Sequence, residues 1–423
     1  MSEKLAINGG SPVINNGEIK NWPPIDEIDR KMVMASLEGG RHAFGPNCIE
    51  FEKEFAKWNG NQFAVTTNSG TAALHMSLVA CGCGAGDHVL VPAYSWSSSA
   101  TCILHSNCIP VFVDIDWETM NIDTRKIEAA ITPTTRAIVV VHLHGLAVNM
   151  DEVLSIAKRH NLKVIEDACQ AHGATFKGKK VGTFGDCAAF SFNQNKCLCS
   201  GEGGMFVTNN EDNLLKARQL WSFGEIRTPA ESRDYHAYAL GWMYRNNDMT
   251  AAFGRAQLSK LDSYIRQQRD NELNLRKHLE GVPNIMLPAE PANHGHTWYN
   301  YTIRFDMKAL NHENDAAAFR NKLVKALQAE GVPTSVWQSY PLPTMTVFQA
   351  RNAYGKGCPW NCQHAVPVKY DPKDYSVAMK HSDWHTGMTL PLRSPNGPEL
   401  GPKVGAAYMK VMSNLDQVEG ITL

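Results

Sequence analysis

Residues 162–204, LKVIEDACQAHGATFKGKKVGTFGDCAAFSFNQNKCLCSGEGG, hold the order of elements on which the fold turns. The run LKVIEDA is short, apolar and rich in Val and Ile, a buried strand that ends on two acids, Glu166-Asp167. A second apolar run, CAAFSF, follows Gly185 and delivers Ser191. A short loop then delivers Lys196, and Gly201-Glu202-Gly203-Gly204 leads into a third run, GGMFVTN. In open α/β sheets ligands sit at the carboxyl ends of strands. Glu166, Asp167, Ser191 and Lys196 therefore stand where such a ligand would be met.

The same grammar extends toward the start of the chain. FAVTT (63–67), HVLVP (88–92), IPVFVDI (109–115) and RAIVVVH (136–142) read as strands. IEFEKEFAKW (49–58), TAALHMSLVA (71–80), SSSATCILH (97–105), TRKIEAAI (124–131) and MDEVLSIAKRH (150–160) read as helices by apolar spacing. Nearly continuous apolar strands alternating with amphipathic helices predict a mostly parallel sheet covered on both faces. A long helix follows Asp248 and stops at Gly281, with Pro283 just beyond. After it the pattern changes to a strand (WYNYTIRF, 298–305) and helices at 315–331 and 401–415. The expected organisation is an irregular N-terminal arm (1–45) that packs on something beyond it, such as a partner subunit, a large α/β domain (46–280) and a small α+β domain (281–423). The stretch Pro341 to Tyr375 is long, Pro-rich and irregular, the kind of loop that is often functional.

Two further features lie at strand ends. Asn68-Ser69-Gly70-Thr71 joins a strand to a helix, and the free N–H groups of that first turn suit a phosphate. Tyr94-Ser95-Trp96 follows HVLVP and offers an aromatic face for a flat ring. Each feature alone has an ordinary reading: an N-cap, a strand-end acid, a surface lysine, a core aromatic. Their occurrence in one order on one sheet does not.

That order resembles the sugar aminotransferases of the DegT/DnrJ/EryC1/StrS family, which are fold-type-I pyridoxal-phosphate enzymes. The resemblance is carried by NSGTAAL, GAGDHVLVPAYSW, IPVFVDID, VVHLHG, VIEDACQAHGA, FSFNQNK and GEGG. It implies that Lys196 is the Schiff-base lysine and proton carrier and that Asp167 pairs with the pyridinium nitrogen. Gln170 would touch the cofactor hydroxyl and Trp96 would stack on its ring, while Gly70, Thr71 and Ser191 would hold the phosphate. It also implies a homodimer with shared active sites, in which an asparagine of a G-Y-N-Y-R segment reaches the partner's phosphate. Here the segment is Gly241-Trp242-Met243-Tyr244-Arg245-Asn246-Asn247. Methionine cannot donate that bond, so either the contact is lost or Arg245 or Asn247 makes it.

The resemblance further implies L-glutamate or L-glutamine as amino donor and a keto-sugar or keto-cyclitol as acceptor. LAINGGSPV and the Leu342-Pro343 to Trp360 stretch look most like the cyclitol and antibiotic-sugar branch. Lys196 argues against the dehydratases of the family, in which a histidine replaces the lysine. An aminohydroxybenzoate-synthase-like dehydratase and a non-catalytic cofactor-binding regulator are the alternatives. Bulk properties fit an aminotransferase. The 423 residues suffice for one large and one smaller domain, and a net charge of −1 gives no electrostatic case for nucleic acid or an anionic membrane. No apolar run approaches the roughly 20 residues of a membrane span. The start lacks the layout of a signal peptide. Eleven scattered cysteines suit reduced thiols in the cytoplasm. Their spacing (Cys81-x-Cys83, Cys197-x-Cys199, Cys358-x3-Cys362) matches no structural zinc site, so no metal is expected.

Overall fold

The computed structural model describes residues 3–226 and 235–423. Seven strands form the main sheet: β1 (Phe63–Thr67), β2 (His88–Pro92), β3 (Ile109–Val113), β4 (Thr135–Val141), β5 (Lys163–Asp167), β6 (Cys187–Ser191) and β7 (Gly204–Thr208). Their order is β1-β7-β6-β5-β4-β2-β3. Pairs β3/β2, β2/β4, β4/β5 and β5/β6 are parallel, and β7 runs antiparallel to both β6 and β1. The expected mostly parallel α/β sheet is present.

Successive residues of a strand point to opposite faces, and both faces are buried. On β4, Val139 and Val141 join one apolar cluster, and Ile138 and Val140 join another. The first cluster is closed by α3 (Gly70–Ala80), α4 (Ser98–His105) and α6 (Glu211–Trp221). The second is closed by α2 (Pro46–Asn59), α5 (Met150–His160) and the N-terminal half of α7 (Asp248–Leu279). The far end of α7, through Leu275 and Leu279, enters a third cluster. That cluster lies under a four-stranded antiparallel sheet of β8 (Ile285–Met286), β9 (Tyr301–Phe305), β10 (Thr334–Ser335) and β11 (His385–Met388), with α8 (Ala316–Ala329) and α9 (Leu400–Met412). The segment read as the helix TRKIEAAI is one α-turn, Thr124–Ile127, followed by a 3-10 turn.

The first 45 residues, expected to be an irregular arm that packs on something, dock on their own chain and include a helix. Leu5 and Ile14 are buried in the third cluster of their own chain. Fully buried Glu330 gathers the segment: its Oε1 accepts from Ala6 N (2.8 Å), and its Oε2 accepts from Val13 N (3.2 Å) and Lys410 Nζ (2.9 Å). Residues Glu27–Glu38 form a helix, α1, opened by a capping box between Asp26 and Asp29. Apolar spacing could not reveal α1, because polar groups dock it. Buried Asp29 accepts from Gln257 (2.8 Å) and Lys260 (2.6 Å) of α7, while Ile28, Met34 and Leu37 stay about half exposed. Among the described residues no helix is long and apolar enough to cross a membrane.

Candidate active site

A cavity of about 460 Å³ opens at the carboxyl ends of the parallel strands. It brings together Gly70, Thr71, Trp96, Asp167, Gln170, Ser191 and Lys196, drawn from four separate stretches of the chain. Its opposite wall comes from the C-terminal part: Tyr299, Asn300, Ser335, Trp337 and Thr389.

At one end stands the N-terminus of α3. Ser69 Oγ caps the helix by accepting from Ala72 N (3.1 Å), and Ala73 N begins the helical ladder by donating to Ser69 O (3.2 Å). Among the described residues nothing takes up the amides of Gly70 and Thr71, the condition for an anion site. Two glycines make the approach close enough. A Cβ on Gly70 would lie 2.7 Å from Ser191 Cβ and 2.9 Å from Cys169 Sγ. A Cβ on Gly204 would lie 2.5 Å from the Ser69 carbonyl. The helix end, Ser191 and β7 thus meet at a point where neither glycine has room for a side chain.

At the other end β5 turns its two acids apart. Asp167 lines the cavity and is 4% exposed. Its Oδ2 accepts from Ser99 Oγ (2.6 Å), which in turn accepts from Ser95 (2.8 Å), and its Oδ1 accepts from Cys169 N (3.2 Å). Glu166 points into the opposite face and is fully buried. Its two oxygens accept from His142 Nε2 (2.9 Å) and from the amides of Gly182 (2.7 Å), Phe184 (2.8 Å) and Gly185 (2.7 Å). Burial opposes its ionisation, but these bonds outweigh it and hold the carboxyl below its ordinary range. His142 Nδ1 accepts from Val148 N (3.1 Å), so its proton sits on Nε2. Glu166 is therefore part of the scaffold, and Asp167 is the acid presented to a ligand.

Lys196 reaches the cavity from the β6–β7 loop with Nζ 4.7 Å from the centre of the Tyr299 ring. Gln170 accepts from His144 N through Oε1 (3.0 Å), and among the described residues nothing takes up its Nε2. Of the two aromatics after β2, Tyr94 is the core residue at 0% exposure. Trp96 is 53% exposed and faces the cavity, its ring centre 6.3 Å from that of Trp337. Arg245 and Asn247 do not line this cavity. Asn247 Oδ1 caps α7 by accepting from Thr250 N (3.0 Å), and the Arg245 guanidinium lies 5.4 Å from the Phe223 ring centre. Sequence reasoning missed Ser99, Tyr299, Trp337 and His144. The run Ser95 to Ser99, with two hydroxyls four residues apart, was a readable signal for the first of these.

These groups fit pyridoxal phosphate. A cradle of free amides at one end suits its phosphate, and a carboxylate fixed by two donors suits its ring nitrogen. An unpaired amide nitrogen on Gln170, a half-exposed indole and a lysine on the same cavity complete the set. The sequence pattern of the DegT/DnrJ/EryC1/StrS aminotransferase family matches residues 23–366. The chain is 38% identical over 312 residues to GDP-perosamine synthase of Caulobacter vibrioides, covering 73% of this chain and 81% of that protein. It is 35% identical over 343 residues to L-glutamine:scyllo-inosose aminotransferase of Streptomyces griseus, covering 78% and 80%. In structure it is similar to 3-amino-5-hydroxybenzoic acid synthase, with a TM-score of 0.82 at 26% identity over 94% and 99% of the two chains. The chain belongs to the DegT/DnrJ/EryC1/StrS family and is a pyridoxal-phosphate-dependent aminotransferase.

Proposed function

We propose that this enzyme moves an amino group from L-glutamate or L-glutamine to a keto-sugar or keto-cyclitol, the inosose type before the nucleotide-linked type. The observation behind the choice of acceptor is the cavity wall. Among the described residues that line it, Lys196 is the only cation, and Asn300, Ser335 and Thr389 face it with neutral hydrogen-bonding groups beside Trp96 and Trp337. Such a wall suits a neutral polyol and offers no clamp for a diphosphate.

When bound, pyridoxal phosphate supplies an electron sink for the substrate's reacting carbon. The amides of Gly70 and Thr71, with Ser191 Oγ, would bind its phosphate. Asp167, held by Ser99 and Cys169 N, would keep a proton on the ring nitrogen by charge. Gln170 Nε2 would donate to the ring hydroxyl, and Trp96 would cover one face of the ring and exclude water from it. Lys196 Nζ would take up and return the proton at the reacting carbon. In a homodimer, Arg245 or Asn247 would reach the partner's phosphate in place of the donor that Met243 lacks. Domains 46–280 and 281–423, with the residues before them docked on both, would close over this site.

The test is a panel of free inososes and nucleotide-linked keto-sugars, offered with glutamate or glutamine and read by mass spectrometry. An amine product from an inosose supports the reading, and amination of nucleotide-linked sugars alone overturns the choice of acceptor. Loss of water without nitrogen gain would point to dehydratase chemistry. Lys196→Ala should abolish amine formation, and turnover by that variant removes Lys196 from its role.

A further inference from the structure

The loop that carries Lys196 runs between β6 and β7 and is bonded mainly to itself. Gln194 N donates to Gly201 O (2.8 Å), Lys196 N to Asn193 O (2.8 Å) and Ser200 N to Phe192 O (2.8 Å). These bonds shape the loop, and Cys197 and Leu198 just after the lysine are buried in the second apolar cluster, but none of this holds the Lys196 carbonyl from outside. An outside hold comes from Trp22, 174 residues earlier. Its indole Nε1 donates to the Lys196 carbonyl oxygen at 3.0 Å, and among the described residues no other group donates to that oxygen. Gln194 Nε2 returns a bond to the Trp22 carbonyl at 3.1 Å. The loop and the N-terminal segment are thus joined by two bonds on either side of the lysine.

Trp22 is itself anchored. It is 9% exposed, its ring stands edge-on to Tyr264 of α7 at 5.1 Å, and the buried Arg393 guanidinium lies 5.3 Å from it. The same guanidinium lies 5.4 Å from the Tyr299 ring, donates to Tyr299 O (3.1 Å), and so fixes the ring over which Lys196 Nζ sits at 4.7 Å. The lysine is therefore located at both ends, backbone by Trp22 and ammonium by Tyr299, and both supports converge on Arg393. A lysine side chain has four rotatable bonds, so its tip is only as well placed as its own carbonyl and the surface it lies on.

We infer that Trp22 is a positioning residue for Lys196, holding the lysine loop through the Lys196 carbonyl so that Nζ meets the cofactor without a search. This rests on Lys196 being the cofactor-linking lysine. Trp22→Phe keeps an aromatic ring against Tyr264 and Arg393 and removes the N–H together with the five-membered half of the indole. The test uses the full-length protein stripped of cofactor. Three readouts are taken: the rate at which added pyridoxal phosphate becomes fixable to Lys196 by borohydride, amide exchange over residues 193–201, and kcat against KM.

The expected result is attachment slowed about fivefold or more, faster exchange in the loop, kcat lowered to a similar degree and KM within about twofold. Attachment and kcat unchanged, with only a lower melting temperature, overturn the inference, since a purely structural tryptophan gives that pattern. Gln194→Ala removes the return bond from an exposed side chain and keeps the test decisive if Trp22→Phe does not fold. It should slow attachment in the same sense, and wild-type rates overturn the inference. If the wild-type protein never links the cofactor at Lys196, the reading of the site has failed. If it does and the variants match it, only the role of Trp22 has.

Discussion

Neighbouring acids on one strand should fail in opposite ways when neutralised. Four donors point at the two oxygens of Glu166, none longer than 2.9 Å, in a place without water access. Glu166→Gln keeps one oxygen and turns an NH2 toward two donors. Two hydrogen bonds are lost and two buried N–H groups are left unpaired, at about 1–3 kcal/mol each. The sum is roughly 2–6 kcal/mol. It is a large part of an ordinary folding stability of about 5–15 kcal/mol.

Asp167→Asn meets a more forgiving site. Its oxygen can still accept from Cys169 N, and the Ser99 hydroxyl can turn to accept from the new amide while Ser95 adjusts. Stability should stay within about 1 kcal/mol of wild type. Amine transfer should drop about tenfold to a hundredfold, the kinetic equivalent of a charge-assisted hydrogen bond worth about 1.5–3 kcal/mol. Urea unfolding of the cofactor-free proteins and steady-state kinetics read the two effects separately. If Glu166→Gln unfolds at the wild-type midpoint, or Asp167→Asn proves the less stable of the two, the division of labour across β5 is wrong.

Gly70→Ala should weaken the phosphate cradle, because the added Cβ falls 2.7 Å from Ser191 Cβ. Overpacking of about 1–3 kcal/mol should raise the cofactor's dissociation constant about tenfold, measured by absorbance titration, and an unchanged constant would contradict it. Trp96→Ala should lower cofactor affinity about two- to tenfold, a stacking contribution of about 0.5–1.5 kcal/mol. It should leave the melting temperature of the cofactor-free protein nearly unchanged, since the ring is half exposed; an equal fall in both forms would make it a core residue. Stability should also fall below pH 6.5. Burial, above all, lowers the pKa of His144, His172 and His385 from 6.5 to about 3. Between those values the unfolded chain binds protons that the folded one refuses, so each histidine removes up to about 1.4 kcal/mol per pH unit as pH drops. Urea midpoints that are level between pH 7.5 and 5.5 would refute this.

What could be read before any coordinates was what is local. Strands such as RAIVVVH are apolar because both sheet faces are covered, and the cavity residues of the sheet stand at strand ends, where an α/β sheet always opens. The far wall was not readable. Tyr299 and Trp337 lie more than a hundred residues beyond Lys196, and nothing in their neighbourhoods tells an aromatic facing a cavity from one in a core. The docking of α1 was hidden for a different reason. It is made by Asp29, Gln257 and Lys260, and buried polar pairs leave no periodic trace. Trp22 is hidden in the same way, since its partner is a backbone carbonyl and any residue has one.

The anchoring of residues 5–14 has a consequence for how the chain comes off the ribosome. Leu5 N donates to Gln417 Oε1 at 2.9 Å across 412 residues, and Ala6 and Val13 wait on Glu330. At a synthesis rate of about 5–20 residues per second, Leu5 precedes Gln417 by roughly 20–80 s. For that interval Leu5 and Ile14 are without the core that later encloses them, although the main sheet, complete once β7 has emerged, can already be assembling. Through Trp22 the lysine loop inherits the delay: it can fold with β6 and β7, but its outer brace settles only after Arg393 has been made. The cofactor site is thus finished late, when the chain's early segment has been gathered back onto its C-terminal part, and a nascent chain cut off short of Arg393 would carry Lys196 on a loop braced on one side only.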